Sequence, residues 1–124
     1  MKRFMALYTG DWKAVKNHVE RFTTEEQREA VRRQGEEALR EWVQRHAASI
    51  VDMGGRLGTT KRVTKDGIAD ARNNVNAYVV VQAESQEEAA KMFLGHPHFT
   101  IFLGDAVEIM ECLPIPERIK RARG

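Results

Sequence analysis

Residues 77–95 read Ala77-Tyr78-Val79-Val80-Val81-Gln82-Ala83-Glu84-Ser85-Gln86-Glu87-Glu88-Ala89-Ala90-Lys91-Met92-Phe93-Leu94-Gly95, and they decide the fold. The first seven are rich in β-branched and aromatic side chains and too few for a helix, so they predict a buried strand. Ser85 stands three residues before Glu88, the spacing of a capping box, in which hydroxyl and carboxylate each satisfy a free N–H at the start of a helix. Ala89, Ala90, Met92 and Phe93 supply the apolar stripe of that helix. Gly95 takes the left-handed turn that ends it, and Pro97 in the following His96-Pro97-His98 corner forbids continuation.

Working outward, Arg3-Phe4-Met5-Ala6-Leu7-Tyr8 predicts a first buried strand, closed by Thr9-Gly10-Asp11. Trp12, Val15, Val19 and Phe22 fall at helical spacing and predict a short amphipathic helix or ordered insert. At 23–27 either threonine can cap, with Glu26 or Gln27 three residues on, and a long charged helix is expected from there to about Met53. Its apolar row is Leu39, Val43, His46, Ile50 and Met53, with Trp42 beside it, in steps of four, three, four and three. Gly54-Gly55 is the expected stop. Strands are expected over 56–64 and 76–83, joined by a loop containing the turn signal Asp66-Gly67. Phe99-Thr100-Ile101-Phe102-Leu103 is an apolar patch, and residues 106–113 predict a last strand, with Cys112 buried in it.

The order strand, helix, strand, strand, helix, strand, with right-handed crossovers, predicts an α+β ferredoxin-like βαββαβ fold: one antiparallel sheet with both helices on one face. Both alternating sets of the 77–83 strand are largely apolar, so the uncovered face needs a lid. A second copy packed sheet to sheet is the simplest one, and a homodimer is expected.

Composition narrows the function classes. With 124 residues, 42% of them hydrophobic and 31% charged, the chain fits one globular domain, expected over 1–116 with a basic tail over 117–124. That tail holds Arg118, Lys120, Arg121 and Arg123 against Glu117, a net +3, so the formal +2 of the chain leaves −1 for the rest. A nucleic-acid-binding domain carries its basic surface on the fold, so none is expected as partner, and the tail reads as a solvated terminus. No apolar run approaches the roughly 20 residues that span a bilayer, and the start lacks a signal-peptide pattern. A single cysteine, Cys112, rules out an intrachain disulfide. A cytoplasmic protein without membrane partners is expected.

Gly54-Gly55-Arg56-Leu57-Gly58, Asp66-Gly67-Ile68-Ala69-Asp70, the 77–83 strand, Ser85-Gln86-Glu87-Glu88-Ala89 and His96-Pro97 together resemble the YCII-related family. They are similar in particular to its branch named for an Asp-Gly-Pro-Phe loop, with Ile68 and Ala69 standing where that motif has Pro-Phe. The resemblance implies a dimeric α/β barrel with a cleft between sheet and helices, and no settled activity. It also implies a His–Asp pair in the cleft, which places His46 as proton carrier with Asp66 or Asp70 as its orienting carboxylate.

Imidazole is the side chain suited to moving a proton near neutral pH, and His46 is the polar exception on a core-facing row. Tyr8, Trp42 and Tyr78 can wall a pocket, with Trp12 as a further candidate. Arg56, with Lys61, Arg62 and Arg72 near it, can receive an anionic ligand. His96 sits at the corner, where it can satisfy a helix end or face the cleft. His96 and His98 lack a third ligand, so no metal is expected. No phosphate loop, dinucleotide fingerprint, zinc-protease helix or serine elbow is present, and no cofactor is expected. The chemistry that remains is a small organic ligand in a cleft, with acid/base elimination or isomerisation if the protein is an enzyme. A ligand-sensing or partner-binding module is the other reading.

Overall fold

Eleven elements carry the chain in the computed structural model, whose backbone is described over residues 1–124, the side chains of Trp12, Val15 and Val19 lying outside the described set. Strand β1 is Lys2–Thr9, helix α1 Trp12–Glu20 and helix α2 Glu25–Arg45. Strands β2 (Ile50–Arg56), β3 (Thr60–Thr64), β4 (Gly67–Ala71) and β5 (Val75–Ala83) follow. Helices α3 (Gln86–Lys91) and α4 (Pro97–Thr100), strand β6 (Ala106–Glu111) and helix α5 (Glu117–Lys120) complete the chain. The expected stripe of Trp12, Val15 and Val19 on α1 concerns those undescribed side chains.

Four strands form one sheet in the order β2-β5-β1-β6, with every neighbouring pair antiparallel. That is the ferredoxin-like order, and the α+β fold read from the sequence is the one observed. Register sets the two faces, because side chains alternate along a strand. Phe4 lies opposite Val81, Ala6 opposite Val79 and Tyr8 opposite Ala77, while Val107 and Ile109 lie opposite Tyr8 and Ala6. This face packs against Trp42 and Val43 of α2, Ala89 of α3, and Met92 and Phe93. Phe4 and Val81 are wholly buried, each contributing about 1.5–3 kcal/mol of hydrophobic stabilisation. The other face presents Met5, Leu7, Tyr78 and Val80, all half-buried, and the more exposed Met110 opposite Met5.

Local signals account for the helix starts. Thr24 caps α2 and Gln27 reaches back to it, a complete capping box. At α3 the Ser85 hydroxyl accepts from the Glu88 N–H at 3.1 Å, so only the hydroxyl half of the expected box forms.

Three expectations are corrected. The long helix does not reach Met53: it ends at Arg45, His46 is its C-cap, and a 3-10 turn over Ala47–Ser49 leads into β2. The row continuing through Ile50 and Met53 is therefore a helix stripe only as far as Val43. Ile50 reaches the core from a strand, where it pairs with Val81. Gly54 does not stop a helix but serves an irregular stretch of the β2–β5 pairing, at φ 65° and tight against the Tyr78 carbonyl. Finally, the strand expected over 56–64 divides. Its second half, β3, pairs with β4 in a separate two-stranded hairpin whose turn is Lys65-Asp66.

Two smaller differences concern the end of the chain. Cys112 is exposed, not buried, and lies one residue past the end of β6 at Glu111. Residues 117–124 are exposed as expected, but they coil into α5 and a 3-10 turn over Arg121–Arg123 instead of fraying. Among the described residues no helix is long and apolar enough to cross a membrane.

Candidate functional site

Between α2 and the helix-covered face of the sheet lies a cleft of about 690 Å³ with largely apolar walls, a size suited to a small organic molecule. Leu39, Trp42 and Val43 of α2 form one wall, Ala77 and Val79 of β5 another, and Tyr8 of β1 and His96 stand between them. Arg56 at the end of β2 and Glu36 on α2 bring the charged groups. Tyr8, Trp42, Arg56, Tyr78 and His96, the five residues assigned to ligand contact from the sequence, all line this one cleft.

An aromatic cluster fixes the inner end. Trp42 donates its indole N–H to the Met92 carbonyl at 2.8 Å, which locks its ring. His96 packs edge-on against Trp42 at 4.7 Å between centroids and stacks on Phe93 at 5.9 Å. Tyr8 lies 5.1 Å from the rings of both His96 and His98. His96 is the N-cap of α4, with Nδ1 accepting the His98 backbone N–H at 2.9 Å. This corrects its expected place at the end of the preceding helix. The same ring reaches the Tyr8 hydroxyl through Nε2 at 3.1 Å.

These contacts determine where the ring protons sit. A nitrogen that accepts a backbone N–H carries no proton, so the His96 proton is on Nε2 and is donated to Tyr8. His98 directs Nε2 at two carbonyls, Thr9 at 2.8 Å and Ala106 at 3.1 Å, and so donates there. His98 is thus a latch between the end of β1 and the start of β6. Gly104 permits its ring this close, since a methyl group at Gly104 would overlap the imidazole.

Burial opposes charge on both members of the pair. It lowers the His96 pKa from 6.5 to about 4, with lesser contributions from His98 and His46, and raises that of Tyr8. Both are therefore neutral at pH 7.

Within the chain, His46 is not brought together with either expected carboxylate, Asp66 or Asp70. His46, at the end of α2, packs against Trp42 at 5.0 Å and does not line the cleft. Burial, then Arg45, lowers its pKa. Asp66 lies in the exposed hairpin turn. Asp70 is exposed and ion-paired with Lys61. Both carboxylates left the main sheet with the hairpin, and among the described residues no hydrogen bond joins either to a histidine. A second groove of about 540 Å³ runs beside that hairpin, with Lys61, Asp70, Arg72 and Asn73 in its lining. Among the described residues no cluster of three or more His, Cys, Asp or Glu could hold a metal ion.

The pairing of Tyr8 with His96 escaped the sequence reading, because 88 residues separate them. The available signals were the histidines flanking Pro97 and a tyrosine at the end of an apolar strand.

No family model matches the chain, and no curated protein matches its sequence. A solved structure is similar in fold: 5-chloro-2-hydroxyhydroquinone dehydrochlorinase (TftG) from Burkholderia phenoliruptrix AC1100, in complex with 2,5-dihydroxybenzoquinone. The two align with a TM-score of 0.55 and 15% identity, over 94% of this chain and 97% of that one. The likeness is one of fold, in keeping with the fold implied by the YCII-related resemblance.

Proposed function

We propose that this chain binds a small organic molecule in the cleft between α2 and the sheet, as a YCII-like protein. The observation that carries the reading is the inner end of that cleft. There a buried Tyr8–His96 pair, the polar centre, is set among the apolar side chains of Trp42, Val43, Ala77 and Val79. The dehydrochlorinase of similar fold holds a dihydroxybenzoquinone, which supports a planar, oxygen-bearing ligand here. If the protein turns its ligand over, the chemistry proposed is acid/base elimination or isomerisation in which the Tyr8 hydroxyl, held by His96, serves as the acid in place of His46.

A non-catalytic, ligand-sensing role is the second reading. It is favoured by one feature: among the described residues no carboxylate hydrogen-bonds to His46 or His96, so neither has the orienting partner usual for a strong base.

The molecule is proposed to act as a dimeric barrel, a second copy covering Met5, Leu7, Val80 and Met110 on the open face. The functional test is a thermal-shift screen of planar oxygen-bearing aromatics against the wild type and Ala77→Phe, which fills the cleft. Ligand-linked stabilisation lost in the filled variant supports the reading. Stabilisation that survives filling, or none from any compound, refutes it.

A further inference from the structure

The Tyr8 hydroxyl is buried and has one hydrogen-bond partner among the described residues, Nε2 of His96. Because His96 Nδ1 accepts the His98 N–H, Nε2–H is the donor in that bond and the tyrosine oxygen the acceptor. Reversing it would place a proton on Nδ1, head-on against the His98 N–H. The hydroxyl therefore keeps its own proton, with no acceptor for it among the described residues, and Tyr8 lines the cleft.

We propose, resting on the ligand-cleft reading above, that Tyr8 is the cleft's hydrogen-bond donor to an sp2 oxygen, carbonyl or oxyanion, of a planar ligand. His96 is the positioning residue that holds Tyr8 in this role. A hydrocarbon ligand would bury the O–H without a partner, a cost that weakens its binding about 10- to 100-fold. An oxygen acceptor removes that cost, and an anionic one forms the stronger, charge-assisted bond. Burial keeps Tyr8 protonated and His96 uncharged, so the donor persists across the physiological pH range. Packing of the Tyr8 ring against Phe93, His96 and His98 fixes its direction before the ligand arrives.

The test uses two fluorinated rings of similar shape, pentafluorophenolate and pentafluorotoluene, titrated into the full chain and followed by fluorine NMR. Wild type is expected to bind the phenolate at least about 10-fold more tightly than the toluene. Tyr8→Phe is expected to weaken the phenolate about 10- to 100-fold and the toluene less than about 2-fold. A phenolate preference that survives in Tyr8→Phe assigns recognition to Arg56 and overturns the proposal. Equal wild-type affinity for the two rings overturns it without recourse to the variant, and leaves the cleft reading intact. Binding of neither ring overturns both.

Discussion

Lowering the pH should weaken this protein through one buried imidazole. The His96 pKa lies near 4 in the folded chain against 6.5 when unperturbed. Between those values the unfolded chain binds the extra proton, so stability is complete above about pH 6.5 and lost as pH falls towards 4. Linkage from about pH 7.5 to about pH 4.5 gives a loss of about 2.5 kcal/mol, and solvent screening at the cleft reduces it to about 2 kcal/mol. The physical source is double. Protonation would charge a ring buried among Tyr8, Trp42 and Phe93, and it would place Nδ1–H against the His98 N–H that it now caps. His96→Asn keeps a capping oxygen and removes the titration. Urea unfolding of both proteins at the two pH values isolates the effect, the wild type being expected to lose about 2 kcal/mol more than the variant. Equal pH dependence would refute the argument, as would an NMR titration placing His96 near its ordinary value.

Other predictions concern packing and assembly. Gly104→Ala drives a methyl group into the His98 imidazole and should cost about 2 kcal/mol or more in urea unfolding. Gly55→Ala, with open space around the added methyl, should stay within about 0.5 kcal/mol of wild type. Trp42→Phe loses the bond to the Met92 carbonyl and part of the cluster around His96, costing about 2–3 kcal/mol. It should also broaden the His96 ring resonances. Val80→Asp places a charge on the open sheet face opposite Met5. In size-exclusion chromatography with light scattering, wild type should run as a dimer at micromolar concentration and this variant as a monomer. A monomeric wild type would contradict the pairing.

How much of this was legible depended on whether a residue's partners were local. The 77–95 stretch was readable because its strand, cap and stripe are short-range features, and Ser85 caps α3 as its position implied. The Thr24–Gln27 box was readable for the same reason. Residues 46–56 were not. Ala47, Ala48 and Ser49 contain no helix breaker, and Ile50 and Met53 continue the helical spacing by coincidence. Pairing of β2 with β5 overrides local propensity there.

The same limit governs the site. The aromatic and basic side chains that line the cleft were identifiable from residue type, while the chemistry was assigned to His46 on a helix that ends one residue earlier. The Tyr8–His96 bond brings the first strand to the α4 corner, and no spacing rule reaches across 88 positions.

The central claim is that the cleft beside Tyr8 is where a ligand sits, and a crystal structure with pentafluorophenolate soaked into it tests this most directly. The ring is expected between Trp42 and Ala77, with its oxygen about 2.5–3.0 Å from the Tyr8 hydroxyl. A ring seated in the groove beside the β3–β4 hairpin, or turned so that its oxygen avoids Tyr8, would contradict it.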